Sequence, residues 1–316
     1  MQQAGVLDVG CHSALLTVVR PAQAATGLET VLSRKVRLRL HQMLAPDGRL
    51  RERGVRSVQR AVVEAMEAGP DPRPEVFAFA TSVIRDAPNR NEVISRVARA
   101  TGTRLRVLPG REEARLAYVA ARHWAGDHGP LLVLDIGGGT VEIASGTGGQ
   151  PDTVLSLPFG ARTVTRQWLP GGTVSSKRHL SGLRRHLREA LGELPGLPTA
   201  RPGTRVLASS KTFTQLARLS AGRGASPRKA RELTLTGLRA SLALLARTDI
   251  RRRGDLPGIS GHRAEQSLAG ALVAEALMDA CETPSVEICP WSTREGLLLE
   301  RLSVTGTAAR RHRLTV

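Results

Sequence analysis

Short apolar runs closed by glycine alternate along this chain with segments whose apolar positions recur every three or four residues. That is the pattern of buried strands alternating with amphipathic helices. Val6-Leu7-Asp8-Val9-Gly10 predicts a strand ending in a tight turn, and Leu15-Leu16-Thr17-Val18-Val19 a second strand after it. Thr30 to Leu40 alternates apolar and basic residues, as a strand with one exposed face does. Val55, Val58, Val62, Ala65 and Met66 share one helical face, ending before Gly69-Pro70. Val76 to Ala80 predicts a buried strand, residues 91–100 a helix carrying Val93, Ile94 and Val97 and stopped at Gly102, and Leu105 to Leu108 another strand. A helix from Arg111 to about Ala125 closes the first half, with the domain boundary at Asp127-His128-Gly129-Pro130.

The second half repeats the alternation. Strands are predicted at Thr153–Leu157, Arg205–Ala208 and Val286–Cys289, and helices at Gly160–Trp168, after Ser209-Ser210-Lys211, at Ala264–Ala280 and at Thr293–Leu302. Pro195 to Gly203 reads as a connector, and the residues beyond Ser303 as a frayed basic tail. The expected organisation is domain I at 1–128, domain II at 129–303 and a tail at 304–316, with the helix at about 293–303 open to packing back on domain I.

The halves also repeat each other. Val6-Leu7-Asp8-Val9-Gly10-Cys11-His12-Ser13 is echoed, 127 residues on, by Val133-Leu134-Asp135-Ile136-Gly137-Gly138-Gly139-Thr140. Each copy is an apolar strand, an Asp, a glycine turn ending in a hydroxyl residue, and an outgoing strand. Agreement position by position points to a duplicated α/β unit rather than chance.

Composition narrows the partners. The formal net charge is +18, and all but four of the 46 basic residues are arginine. Arginine favours phosphates and acidic surfaces; the alternative is that an Arg- and Ala-rich composition merely reflects biased codon usage. Twelve basic residues face only three acids between Lys211 and Arg263. Eight aromatics are too few for a base-stacking surface, so nucleic acid is disfavoured. Cys11, Cys281 and Cys289 form no disulfide framework and suit a reducing cytoplasm. The start shows no signal-peptide pattern and no apolar run is long enough for a membrane span. The eight histidines are scattered with no Cys/His cluster, so no structural zinc site is expected.

The two Asp-Gly turns are the candidate chemistry. Glycines let a backbone approach a phosphate and aim N–H groups at it. Gly10, Cys11, His12 and Ser13 form one candidate phosphate loop; Gly137, Gly138, Gly139 and Thr140 form the other. Asp8 and Asp135 are suited to Mg²⁺, a hard ion that takes oxygen ligands. Glu142, two residues beyond Thr140, is placed to orient water or metal, or else faces solvent. Glu112 and Glu113 open a helix after a strand, where either can serve as general base or simply complement the helix dipole. Arg85 and the Ser210-Lys211 corner are candidate anion binders at strand-to-helix junctions. No P-loop pattern occurs.

Taken in order, these motifs resemble the exopolyphosphatase/guanosine pentaphosphate phosphohydrolase (Ppx/GppA) phosphatases. The resemblance rests on both Asp-Gly turns, on Ala80-Thr81-Ser82-Val83-Ile84-Arg85-Asp86-Ala87, on Gly110-Arg111-Glu112-Glu113-Ala114, on Ser156-Leu157-Pro158-Phe159-Gly160-Ala161, on Ser209-Ser210-Lys211-Thr212-Phe213 and on Thr293-Arg294-Glu295-Gly296. The resemblance implies two actin-like (ribonuclease H-like) α/β domains with an interdomain phosphate-binding cleft. It implies Mg²⁺-dependent removal of terminal phosphate from polyphosphate, or of the 5′ γ-phosphate from guanosine pentaphosphate. It maps the catalytic glutamate onto Glu113, the second-loop acids onto Asp135 and Glu142, and the phosphate-contacting arginine onto Arg85. The chain resembles the short, two-domain members, so processive action on long polymers is not expected, and a homodimer is compatible. It departs in the first loop, with Cys11-His12 where Ser-Asn is usual, and in the second, with Thr140-Val141-Glu142 where Ser-Thr-Glu is common. Two other readings are an actin-like-superfamily ATPase or kinase and a non-catalytic sensor of polyphosphate or a guanosine alarmone.

Overall fold

The computed structural model describes residues 2–22, 27–67, 74–126, 129–226 and 228–313, without the side chains of Lys229 and of residues beyond 303. Gly69-Pro70 and the expected boundary at Asp127-His128 lie outside the described residues. The chain divides into two compact units. Unit 1 comprises Met1–Pro109 and Arg294–Val316; unit 2 comprises Gly110–Thr293.

Unit 1 is built from β1 (Ala4–Val9), β2 (Ser13–Pro21), β3 (Leu28–Arg37), α1 (Glu52–Glu67), β4 (Val76–Ala80), α2 (Ser82–Arg85), α3 (Arg90–Thr101) and β5 (Arg106–Val107). Its sheet runs in the order β3-β2-β1-β4-β5. The first three strands are antiparallel neighbours, whereas β4 and β5 continue parallel to β1. Val55, Val58, Val62 and Ala65 of α1 are buried in the core, as the helical spacing predicts.

Unit 2 follows with α4 (Gly110–Ala125), β6 (Leu131–Ile136), β7 (Val141–Gly146), β8 (Thr153–Leu157), α5 (Ala161–Trp168), α6 (Lys177–Gly192), β9 (Arg205–Ser209), α7 (Ser210–Ala221), β10 (Glu232–Thr234), α8 (Leu235–Arg247), α9 (Ala264–Ala280) and β11 (Ser285–Ile288). Its sheet order is β10-β11-β9-β6-β7-β8. With β10 set aside, this is the strand order of unit 1, again with an antiparallel meander and then two parallel strands. The helix α9 is apolar around nearly its whole circumference and packs on α5, α6 and α8, which is how a helix behaves at the centre of a core. Its one buried carboxylate, Glu275, is met by Arg184 and Arg239, so the charge is compensated where it is desolvated.

The sequence repeat reappears as register. Asp8 pairs opposite Leu15 and Asp135 opposite Glu142, each residue of the second pair 127 positions beyond its partner in the first. Each turn is closed by the same bond: Gly10 N–H donates to Ser13 O at 2.9 Å, and Gly137 N–H to Thr140 O at 2.9 Å.

Two boundaries differ from expectation. The division falls at Pro109/Gly110, so α4, assigned by sequence to domain I, belongs to unit 2. Arg122 holds it there: its guanidinium donates to Gly146 O at 3.0 Å, Gly129 O at 2.8 Å and the Tyr118 hydroxyl at 2.7 Å. The last helix, α10 (Thr293–Arg313), extends through the segment read as a frayed tail. In unit 1, Arg301 of α10 pairs with Glu75 and stacks over Phe77. No helix among the described residues is long and apolar enough to cross a membrane.

Candidate active site

In unit 2 four polar residues form one in-register row across adjacent strands. Ser156 on β8 is opposite Glu142 on β7, Glu142 opposite Asp135 on β6, and Asp135 opposite Ser209 on β9. Residues directly opposite one another project from the same face of a sheet, so the row gathers its groups at one sheet edge. Hydrogen bonds tie both ends: the Ser156 hydroxyl donates to Glu142 Oε1 at 3.0 Å, and the Ser209 hydroxyl to Asp135 Oδ2 at 2.6 Å. Glu142 is buried, which removes the solvent-facing alternative. Burial raises the Asp135 carboxyl above its ordinary value, while the Ser209 hydrogen bond and the positive charge of Arg263 pull it back down.

The first turn of α4 abuts this row. A Cβ on Gly110 would sit 2.1 Å from Ser156 Oγ and 3.6 Å from Glu142 Oε1. The start of α4 therefore lies directly against the Ser156–Glu142 pair, where the helix dipole favours a carboxylate. Glu113, half-buried in that same turn, is held through its backbone, whose carbonyl accepts from Thr293 Oγ1 at 3.3 Å. Its neighbour Glu112 is engaged by Arg115 at 2.7 Å. All three catalytic candidates, Glu113, Asp135 and Glu142, thus belong to unit 2.

The Gly137–Thr140 turn is clamped from below. The first backbone N–H groups of α5 and the residue before it take its carbonyls: Gly160 N–H bonds Gly139 O, Ala161 N–H bonds Gly137 O, and Arg162 N–H bonds Gly138 O, at 3.2, 3.0 and 2.9 Å. The approach is so close that a Cβ on Gly160 would lie 2.3 Å from the Gly139 carbonyl carbon. A helix N-terminus that would otherwise offer its N–H groups to an anion is here used to hold the turn. Among the described residues, the N–H groups of Gly138 and Gly139 have no hydrogen-bond partner. Arg162 lies alongside, its Nη1 2.9 Å from where a Cβ on Gly138 would be, and that buried Nη1 has no partner.

Of the second-half corner residues, Ser210 occupies left-handed backbone at φ 88°, a conformation costly for a residue with a Cβ. Its hydroxyl accepts from Phe213 N–H at 3.3 Å, an end-of-helix role. Lys211 is exposed. The residue that reaches the acid is instead Ser209, which forgoes capping α7 to bond Asp135.

Unit 1 presents a sparser version. Asp8 stands opposite Leu15 and Phe79, where Asp135 has Glu142 and Ser209. Its Oδ1 is sealed from solvent with no hydrogen-bond partner. Burial pushes the Asp8 carboxyl from 3.8 up to about 6; Arg294 lowers it and Glu295 raises it by smaller amounts. Those two residues belong to the first turn of α10 and pair with each other at 2.5 Å. The carbonyls of Cys11 and His12 accept from Leu40 and Leu38 N–H at 3.0 and 2.7 Å, and Ser13 closes the turn. Arg85 ends α2 with its side chain largely buried, donating to Asp86 Oδ1 at 3.1 Å and Leu108 O at 3.3 Å.

Ser156, Arg162, Arg263, Arg294 and Glu295 carry no distinguishing signal in the sequence pattern, and Ser209 stands there only as a companion of Lys211. Ser156, Ser209, Arg294 and Glu295 lie inside the motifs that carry the resemblance, which marks their neighbourhood but not their roles. The Ser209 bond to Asp135 becomes visible only from the β6–β9 register. The expected absence of a Cys/His cluster is corrected: Cys11, His12 and His41 converge, because Leu38 and Leu40 bring the short 3₁₀ turn Leu40–Met43 onto the first loop.

The sequence model of the Ppx/GppA phosphatase family matches residues 17–304. Exopolyphosphatase 1 of Mycobacterium bovis is 42% identical over 315 residues, covering 96% of this chain and 90% of that protein. Exopolyphosphatase 1 of Mycobacterium leprae is 41% identical over 312 residues, covering 96% and 91%. The crystal structure of the Aquifex aeolicus Ppx/GppA family member superposes with a TM-score of 0.81 at 22% identity, covering 96% of this chain and 98% of that one. An exopolyphosphatase from Cytophaga hutchinsonii gives 0.77 at 20% identity, covering 96% and 98%. These two structures share the fold, in agreement with the duplicated α/β architecture expected from the repeat.

Proposed function

The chain belongs to the Ppx/GppA phosphatase family, and from that premise we propose that it is a phosphoanhydride hydrolase releasing terminal phosphate from inorganic polyphosphate. Its 42% identity to a protein named exopolyphosphatase, over nearly the whole chain, favours polyphosphate over guanosine pentaphosphate. The observation that carries the reading is the in-register row Ser156–Glu142–Asp135–Ser209, set beside an unpartnered pair of glycine amides and the Glu113 turn.

In this reading the N–H groups of Gly138 and Gly139 bind oxygens of the terminal phosphate, with Thr140 and Arg162 alongside. Gly10, Cys11, His12 and Ser13 form the corresponding turn of unit 1. Arg85 in unit 1, and Ser210 and Lys211 in unit 2, are further candidate anion contacts. Glu113 accepts a proton from the attacking water at its carboxylate, the usual part of a general base. Hydrogen bonds from Ser156 and Ser209 fix the carboxylates of Glu142 and Asp135, so that neither has to reorganise as charge develops on the phosphoryl oxygens.

The donor set fits Mg²⁺, since it consists of hard carboxylate oxygens. In unit 2 burial raises Asp135, and in unit 1 it raises Asp8 and leaves its Oδ1 without a partner; a cation beside either carboxylate would relieve that state. Asp135 and Glu142 would hold the ion, and Asp8 offers the equivalent carboxylate on the turn of unit 1. Bound there, Mg²⁺ would neutralise charge on the transferring phosphoryl group.

The test is phosphate release with Mg²⁺ from short-chain polyphosphate, long-chain polyphosphate, guanosine pentaphosphate and ATP in parallel. Polyphosphate should be the preferred substrate, short chains at least as good as long ones. Consumption of ATP alone would indicate a nucleotide enzyme of the same fold, and binding of polyphosphate or pentaphosphate without release would indicate a sensor.

A further inference from the structure

The first loop carries chemistry that the second does not. Shifting by the repeat offset places Cys11 at the position of Gly138 and His12 at that of Gly139. Where unit 2 offers only backbone, unit 1 adds a thiol and an imidazole, and His41 supplies a second imidazole. One ligand atom from each of Cys11, His12 and His41 lies within 4.8 Å of the others. Cys11 Sγ is 3.4 Å from His41 Nδ1, and the two imidazole rings are 5.0 Å apart and inclined at 43°.

The arrangement is supported by backbone rather than by long side chains. Cys11 and His12 are adjacent in a turn closed by Gly10 N–H to Ser13 O, and their carbonyls bind Leu40 and Leu38. His41 directly follows Leu40, which is itself fully buried. Three potential ligands are therefore carried on two segments stitched together on either side of them. Cys11 is buried while both histidines keep partial exposure, so an ion can enter from solvent.

We propose that Cys11, His12 and His41 form a binding site for Zn²⁺ within unit 1, with its fourth position open to water or an anionic oxygen. One thiolate and two imidazoles are a donor set that zinc accepts and hard Mg²⁺ does not. Zinc–ligand bonds of about 2.0–2.3 Å in a tetrahedron place neighbouring ligand atoms about 3.3–3.6 Å apart. The Cys11–His41 separation already matches, and the other pairs, within 4.8 Å, close to this range on binding. Binding releases the Cys11 thiol proton to solvent, so affinity falls in acid. Cys11 and His12 also belong to the turn that the hydrolase reading assigns to phosphate, but metal binding is read out by spectroscopy without turnover, so the two readings can fail separately.

The test uses the full chain with Co²⁺ as a spectroscopic stand-in, followed by Zn²⁺ competition against a chelating dye. One Co²⁺ per chain should bind, with a thiolate-to-metal charge-transfer band and the strong visible bands of a tetrahedral centre. Zn²⁺ should displace it, and excess Mg²⁺ should not. C11S should abolish the charge-transfer band, and H41Q should weaken Zn²⁺ binding at least about tenfold. Circular dichroism on each variant shows that it is folded, and H41Q tests the site should C11S fail to fold. Absence of the band in the unmodified chain, its persistence in C11S, or unchanged Zn²⁺ affinity in folded H41Q would each overturn the proposal.

Discussion

Ser209 donates a 2.6 Å hydrogen bond to Asp135 Oδ2 across the parallel pair β6–β9. It does so at the cost of capping the helix that begins at the next residue, and beside a strained Ser210. A side chain withdrawn from a local stabilising role and aimed at a buried acid is a positioning device. S209A should lower kcat/KM about 10–100-fold, the range for groups that orient metal-binding residues, and should raise the Mg²⁺ concentration needed for half-maximal rate. S209T should restore much of the loss. Unchanged Mg²⁺ dependence in folded S209A would remove Ser209 from the site.

The clamp on the second turn makes a paired prediction about two glycines. G160A forces a Cβ into the Gly138–Thr140 backbone, and overpacking of this kind costs about 1–3 kcal/mol. Both thermal stability and phosphate release should fall. Gly182, inside α6 with open space around its Cβ position, should behave oppositely. G182A should raise stability by up to about 1 kcal/mol through helix propensity and leave activity unchanged. Equal effects from the two changes would mean that the close approach at Gly160 carries no special weight.

Asp8 predicts a pH dependence with a definite sign. Its folded-state value of about 6 lies above the ordinary 3.8, so between these values the native protein binds more protons than the unfolded chain. Stability from this group is therefore complete below about pH 4 and is lost as pH rises through about 6, by roughly 3 kcal/mol at most. D8N, measured by denaturant unfolding in chelator, should lack this decline relative to the unmodified chain. Parallel pH profiles for the two proteins would show that the buried carboxyl does not titrate as argued.

The basic stretch from Lys211 to Arg263 is less of an external field than its composition implies. Arg239 is engaged with Glu275 and Asp279, and Arg253 is buried against Gly172 and Leu245 carbonyls. The remaining cations should still attract a polyanion. KM for polyphosphate should accordingly rise with added salt, since exposed charges are screened beyond about 8–10 Å at physiological ionic strength. A flat KM would reduce the arginines to composition.

Much of the architecture was legible because duplication leaves a periodic trace. The Asp8 and Asp135 strands, their turns and the helix Ala264–Ala280 follow directly from local pattern. The helix α6 was equally legible, since Leu180, Leu183, Leu187 and Leu191 keep helical spacing, yet it went unread among the polar residues around it. The domain boundary was misplaced because a helix records nothing locally about which sheet it packs on; Arg122 and Tyr118 decide that through distant carbonyls. Ser209 and His41 were invisible for the same reason. Each acquires its role from a partner far along the chain, Asp135 in one case and Cys11 in the other, brought close by strand register or backbone pairing.

The most direct measurement is phosphate release from polyphosphate by E113Q and E112Q, with polyphosphate binding measured on the same preparations. E113Q should lose at least about 100-fold in kcat, as expected for a missing general base, while binding stays within severalfold. E112Q should retain most activity, because Glu112 is engaged with Arg115. Full turnover by folded E113Q would contradict the assignment of water activation to the first turn of α4.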